Sequence, residues 1–169
     1  MQTKTPSLNR KSAGFSIIEV AISAAMMLVI SLLLVRFWVT TSEAFTLDGN
    51  MVTLKQQSER AMETMAERIR RADTPSIVVS GGNTAIDFVD GFDGSNVRYE
   101  LQPLAPAGPN WGTIVQTVSG TQSVLAGHAE SLQFTASGTG LVTAVASFRK
   151  GAGRTETRLT TQWSVSARN

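Results

Sequence analysis

Residues 15–35 contain one charged side chain, Glu19, and residues 15–73 contain no proline and one glycine, Gly49. A chain of that composition has little choice but a long helix, since nothing in it breaks the backbone ladder and Gly49 alone is tolerated inside one. The 21 apolar-dominated residues from Phe15 to Val35 rise about 32 Å at 1.5 Å each, enough to cross the hydrocarbon of a bilayer. A carboxylate at the centre of such a span costs about 2.5–3.5 kcal/mol. Glu19 therefore calls for a positive partner.

The simplest partner is an amine. A cut between Gly14 and Phe15 creates an amino terminus four residues, one helical turn, from Glu19, and the same turn of a neighbouring chain supplies it equally well. Lys4, Arg10 and Lys11 precede the span and Arg36 alone follows closely, so the charge asymmetry predicts the amino terminus inside and the bulk of the protein outside. Those three cations also account for the net charge of +2; residues 15–169 hold 12 basic and 13 acidic side chains. An ordinary secretory signal, with a cut near Ala21, Ser23, Ala24 or Ala25, fits less well, because the apolar run continues past those residues. An ordinary membrane anchor, in which Glu19 pairs incidentally, is the bland alternative.

The basic leader ending in Gly14, then Phe15, Ser16, two apolar residues, Glu19 and a long apolar helix resemble the prepilin signature of the type IV pilin-like family. That resemblance covers roughly the first third of the chain. It implies that a prepilin peptidase cuts after Gly14 and methylates the amino group of Phe15, and that Glu19 guides subunits into a helical filament. It also implies a bacterial inner-membrane protein with its carboxyl-terminal domain in the periplasm. The partners would be other pilin or pseudopilin subunits, the inner-membrane assembly platform and, before assembly, membrane lipid. Many major type IV pilins carry a disulfide near the carboxyl terminus and a proline just past the span; this chain has no cysteine, and Arg36 stands at the proline position. Both departures favour a minor member, resembling a J-type minor pseudopilin of type II secretion or a W-type minor pilin. Looser similarities at residues 59–71, 97–101 and 131–134 point the same way.

Beyond the span, Phe37 and Trp38 beside Arg36 suit an outer membrane boundary. Met51, Leu54, Met62, Met65, Ile69 and Ala72, with Ser58 between, then form one stripe. Lys55, Glu59, Arg60, Glu63, Glu67, Arg68 and Arg71 occupy the other face, with Glu67 and Arg71 a favourable pair. Residues 47–50 are a place where the helix would bend or briefly melt. Arg68, Arg70 and Arg71 are mixed with acids and lack an aromatic platform, so no nucleic acid is expected as a partner.

At Thr74 and Pro75 the composition changes, and twelve of the 14 glycines and four of the five prolines follow. Short alternating runs predict strands at 76–79, 85–89, 97–102, 112–118, 123–126, 131–136, 141–149 and 157–166. Turns are expected at 80–83 and 150–153 and a loop at 103–109. Val97, Tyr99 and Leu101, then Leu132 and Phe134, then Leu159, Trp163 and Val165 would line one sheet face. The fold class expected is α+β: a leader at 1–14, a helix at 15–73, and a β-rich domain at 74–169 whose antiparallel sheet packs on the outer helix stripe. The 95 residues from Pro75 to Asn169 alone bury too little.

No residue set points to catalysis. His128 is the only histidine and is expected in a solvent-facing turn, too isolated for a metal site or a triad. Asp87, Asp90 and Asp93 with Asn96, Gly91 and Gly94 offer oxygen ligands that would suit calcium, but their spacing is not that of an EF-hand and the same residues dominate ordinary turns. Gly138, Thr139 and Gly140 lack a phosphate-binding pattern. The expected role is thus structural, without cofactor or enzymatic activity. The alternative is a membrane-tethered binding module that does not polymerise.

Overall fold

The computed structural model describes residues 16–104 and 111–167; Gly14, Phe15 and most of the expected 103–109 loop lie outside them. The architecture is α+β, one long helix followed by a seven-stranded antiparallel sheet. The chain divides into two compact units, Met1–Ser42 and Glu43–Asn169.

Helix α1 runs Ile17–Arg71. The Ser16 carbonyl accepts the amides of Glu19 at 2.9 Å and Val20 at 3.2 Å, which starts the ladder. The helix does not melt at 47–50. A single glycine costs a helix only about 1 kcal/mol, and the site is reinforced: Thr53 Oγ1 donates to the Gly49 carbonyl at 2.7 Å, and Asn50 Nδ2 donates to the Thr155 carbonyl at 3.2 Å.

The strands are β1 (Val78–Ser80), β2 (Ala85–Val89), β3 (Asn96–Pro103), β4 (Gly112–Val118), β5 (Thr121–Ala136), β6 (Leu141–Lys150) and β7 (Thr157–Ser166), paired in sequence order with every neighbour antiparallel. The expected turn at 80–83 joins β1 to β2 through three residues with positive φ, Gly81, Gly82 and Asn83. Pro103 does not open the loop but ends β3 opposite Gly112.

Two expected strands, 123–126 and 131–136, are one. β5 continues through a bulge in which the register slips between Ala129 and Ser131 and His128 adopts φ 60°. A bulge keeps apolar residues inward on both sides of the slip, and Ala126, Ala129, Leu132 and Phe134 are all buried. The residue of the bulge in the left-handed region is His128, not Gly127. His128 is half-buried, with its ring edge-on to Trp111 at 5.4 Å, so it is a bulge residue and not the expected solvent-facing turn histidine.

Within the second unit, Leu54, Ser58, Ala61, Met62, Met65, Ile69 and Ala72 are buried against a sheet face carrying Ile86, Phe88, Val97, Tyr99, Ile114, Phe134, Val142 and Phe148. Ser58 is tolerated there because its Oγ donates to the Lys55 carbonyl at 2.9 Å. Trp163 Nε1 donates to Met62 Sδ, joining β7 to the helix. Met51, expected in this stripe, is 40% exposed.

The end of α1 is held to the end of β2 by backbone. Asp73 N–H donates to the Val89 carbonyl at 3.0 Å, Gly91 N–H donates to the Arg71 carbonyl at 2.8 Å, and Ala72 bridges Asp90. A Cβ on Gly91 would lie 2.7 Å from the Arg71 carbonyl oxygen, so only glycine fits this crossing. Met65 is fully buried between the layers; Met65→Ala is expected to lower unfolding free energy by about 2–5 kcal/mol, whereas Met51→Ala should change it by less than about 0.5 kcal/mol. Denaturant titration of the detergent-solubilised full chain, followed by tryptophan fluorescence, checks both.

Candidate functional site: an uncovered apolar helix with one carboxylate

Among the described residues, none covers the apolar half of α1. Every described side chain from Ser16 to Thr40 is exposed, the large apolar ones between 47% at Val39 and 90% at Ile17. The stretch is long and apolar enough to cross a membrane, and its most apolar window is not buried by any other described residue. Leaving so many large apolar side chains in water is untenable at about 25 cal/mol per Å² of apolar surface, so lipid or other protein must take the place of solvent. This is the observation on which a functional reading turns.

Glu19 lies in the first turn of α1, where a carboxylate meets the positive end of the helix dipole. Its side chain is exposed, and no ion pair joins it to another described residue. Its carbonyl accepts the Ser23 hydroxyl at 2.8 Å, one turn on. Neither processing residue expected beside it, Gly14 or Phe15, is among the described residues.

The three aspartates of the suggested calcium cluster have separate local roles. Asp87 on β2 accepts from Arg98 Nη1 at both oxygens, at 3.0 and 2.9 Å, across the β2–β3 register in which the two residues face each other, and from the Ser80 hydroxyl at 2.9 Å. Asp90 is 2% exposed; its Oδ1 accepts the Phe92 amide at 3.0 Å and its Oδ2 lies 3.9 Å from Arg68 Nη1. Asp93 accepts the Ser95 amide at 2.9 Å, and hydrogen bonding from Ser95 holds its carboxyl below the usual range. Among the described residues no group of three His, Asp or Glu side chains is placed to hold a metal ion.

Arg68, read in sequence as part of a solvated face, instead reaches inward to Asp90, and Tyr99 is fully buried nearby with its phenol pushed up by desolvation. No local pattern announces that pairing, since the partners lie on different elements and meet only when α1 docks. A second group joins β5, β6 and β7: Arg149 and Arg158 are direct cross-strand partners, a repulsive arrangement on its own. Glu156 resolves it, accepting Arg149 Nη2 at 2.5 Å and Arg158 Nε at 2.9 Å, with Glu130 3.7 Å from Arg149. Both arginines hold the Glu156 carboxyl below its usual range. These clusters brace the sheet. They present no nucleophile, base and oxyanion donors around a common point, which any acyl or phosphoryl transfer would require.

No protein family, curated protein or solved structure matches the chain.

Two measurements probe these assignments. Asp90→Ala removes the acceptor of the Phe92 amide and strands Arg68, so unfolding free energy should fall by about 1–3 kcal/mol; an unchanged denaturation midpoint would show that the buried pair is ornamental. His128 has its pKa lowered below 6.5 by burial and then by Lys150. A histidine with a depressed native pKa takes up protons more readily when unfolded, so its contribution is present above 6.5 and lost as pH falls below that value. Thermal melts between about pH 7.5 and about pH 5.5 should therefore decline, and His128→Asn, which tolerates the positive φ, should flatten that decline.

Proposed function

We propose that this chain is a structural subunit of the type IV pilin-like class, a minor pilin or minor pseudopilin. It is processed between Gly14 and Phe15, stored in a bacterial inner membrane through residues 15–35, and assembled into a pilus or pseudopilus. The observation that carries the reading is the uncovered apolar half of α1 with Glu19 as its one carboxylate. In the bilayer, lipid covers that surface; in a filament, the helices of neighbouring subunits do, so the apolar area is never returned to water. Glu19 meets the new amino group of a neighbouring Phe15, because either charge left alone in the apolar bundle is strongly unfavourable. The sheet domain remains outside as the part that contacts the periplasm.

The partners implied are other pilin or pseudopilin subunits, the prepilin peptidase and the inner-membrane assembly platform. An α+β domain built as one helix on an antiparallel sheet is compatible with this reading, while the resemblance that motivates it rests on residues 1–35. Glu19→Gln removes the charge and keeps the shape. It is expected to insert into membranes like the natural chain but to enter filaments at least about tenfold less, the size of one lost charge pair. Quantifying the subunit in sheared filaments and in membranes of the host separates the two steps. Undiminished incorporation of Glu19→Gln would contradict the proposed pairing.

A further inference from the structure

The sheet has two edges, and they are finished differently. β1 is three residues long and is flanked by short helical turns at Thr74–Ser76 and Gly81–Asn83, so it offers little to pair with. β7 is ten residues long, keeps unbroken register with β6 over all ten, and is last in the strand order. The Ala167 amide donates to the Gly140 carbonyl at 2.9 Å, which makes the odd-numbered residues of β7 the ones bonded to β6. In an antiparallel ladder the alternate residues then point their N–H and C=O groups away from that neighbour. These are Arg158, Thr160, Gln162, Ser164 and Ser166, and no described backbone group bonds to them. An edge of this length is normally blunted by proline, lysine, a bulge or a covering strand. Among the described residues β7 has none of these.

Two features say what chemistry would cover that edge. The end of α1 and the end of β7 together line an open groove of about 640 Å³, with Glu67, Arg70 and Arg71 on one wall and Ser164, Val165 and Ser166 on the other. Glu67 accepts from Arg71, whereas Arg70 forms no ion pair with a described residue, so the groove holds one uncompensated cation. Along the same edge Leu159 and Trp163 pack on the core but stay half-buried, leaving apolar surface beside the vacant strand position. We propose that β7 is a docking edge to which an extended segment of a different protein adds as a further strand. Its apolar side chains continue the inner layer beside Leu159 and Trp163, and a carboxylate meets Arg70. Backbone pairing gives such a contact its affinity, and side chains at alternate positions give it specificity. A second copy of β7 could pair by backbone but brings no acid, since Thr157–Ser166 contains Arg158 and no Asp or Glu. Charge therefore selects a different chain. The edge belongs to the unit Glu43–Asn169, so the contact goes beyond the filament reading and holds whether or not the apolar segment leaves the membrane.

Because backbone bonds carry the affinity, a designed peptide of strand length serves as the probe: acetylated and amidated, threonine alternating with valine, with glutamate in place of the first valine. Antiparallel addition starting opposite Ser166 places the glutamate opposite Val165, beside the groove, and the valines opposite Trp163, Thr161 and Leu159. Amide exchange is read residue by residue by NMR on the full chain in detergent micelles. In the chain alone the amides of Arg158, Thr160, Gln162, Ser164 and Ser166 should exchange freely while those between them are protected, and saturating peptide should slow the five at least about tenfold. Lysine in place of the peptide's glutamate, or Arg70→Ala in the chain, should weaken binding about tenfold, as a lost charge pair does. Gln162→Pro removes one outward donor and leaves the β6 ladder intact, so it should abolish the protection; methylating the peptide's backbone nitrogens tests the same bonds without altering the chain. Five amides already protected in the chain alone, protection that rises with chain concentration instead of with peptide, or no protection by the peptide would each overturn the docking edge. Binding indifferent to both the glutamate and Arg70 would overturn the acidic partner. Each of these results leaves the filament reading standing.

Discussion

The molecule is organised by an apolar helix surface that its described residues leave bare. Both halves of α1 carry enough apolar area to require cover, and they obtain it differently. From Leu54 to Ala72 the cover is internal: one stripe is buried against the sheet, and the opposite face is charged. From Ile17 to Val35 the helix is apolar around its circumference, as expected of a segment surrounded on all sides by lipid or by other helices. A surface helix of an ordinary soluble domain would show the first pattern along its whole length.

The internally covered half explains how a modest sheet becomes a stable domain. The sheet is a meander whose strands pair in sequence order, so its contacts close short loops. Met62, Met65 and Ile69 supply the apolar layer that a single sheet face cannot supply for itself. The crossing at Ala72, Asp90 and Gly91 then stops the helix at a defined place, because backbone hydrogen bonds there leave no room for a side chain at position 91. Arg68 and Asp90 tie the same corner by charge, and Asp90 uses its second oxygen on the loop that follows.

Features governed by local periodicity were legible in the amino-acid sequence. Alternation placed Val97, Tyr99, Phe134 and Val165 on the inner sheet face, and three-to-four spacing placed Leu54, Met62, Met65 and Ile69 toward the sheet, where they lie. Features that depend on what docks where were not. Met51 continues the spacing of the stripe but remains exposed. The β5 bulge was read as a turn between two strands, since the residues around His128 do not say in sequence whether pairing resumes beyond them. Arg68 looked solvated because Asp90 is remote in sequence, and the aspartates looked like a ligand set because composition does not show that Arg98, Arg68 and Ser95 already engage them. Glu19 differs from all of these. Its meaning comes from being the one charge in an apolar run, which is visible in sequence, while the partner proposed for it lies on another molecule.

The proposed counter-charge for Glu19 exists only after proteolysis, so the chemical identity of the amino terminus tests the account most directly. Intact-mass and peptide mass spectrometry of the protein isolated from filaments and membranes of its host should find a chain beginning at Phe15 with one added methyl group. A working form that begins at Met1, or one cut near Ala25, would contradict it.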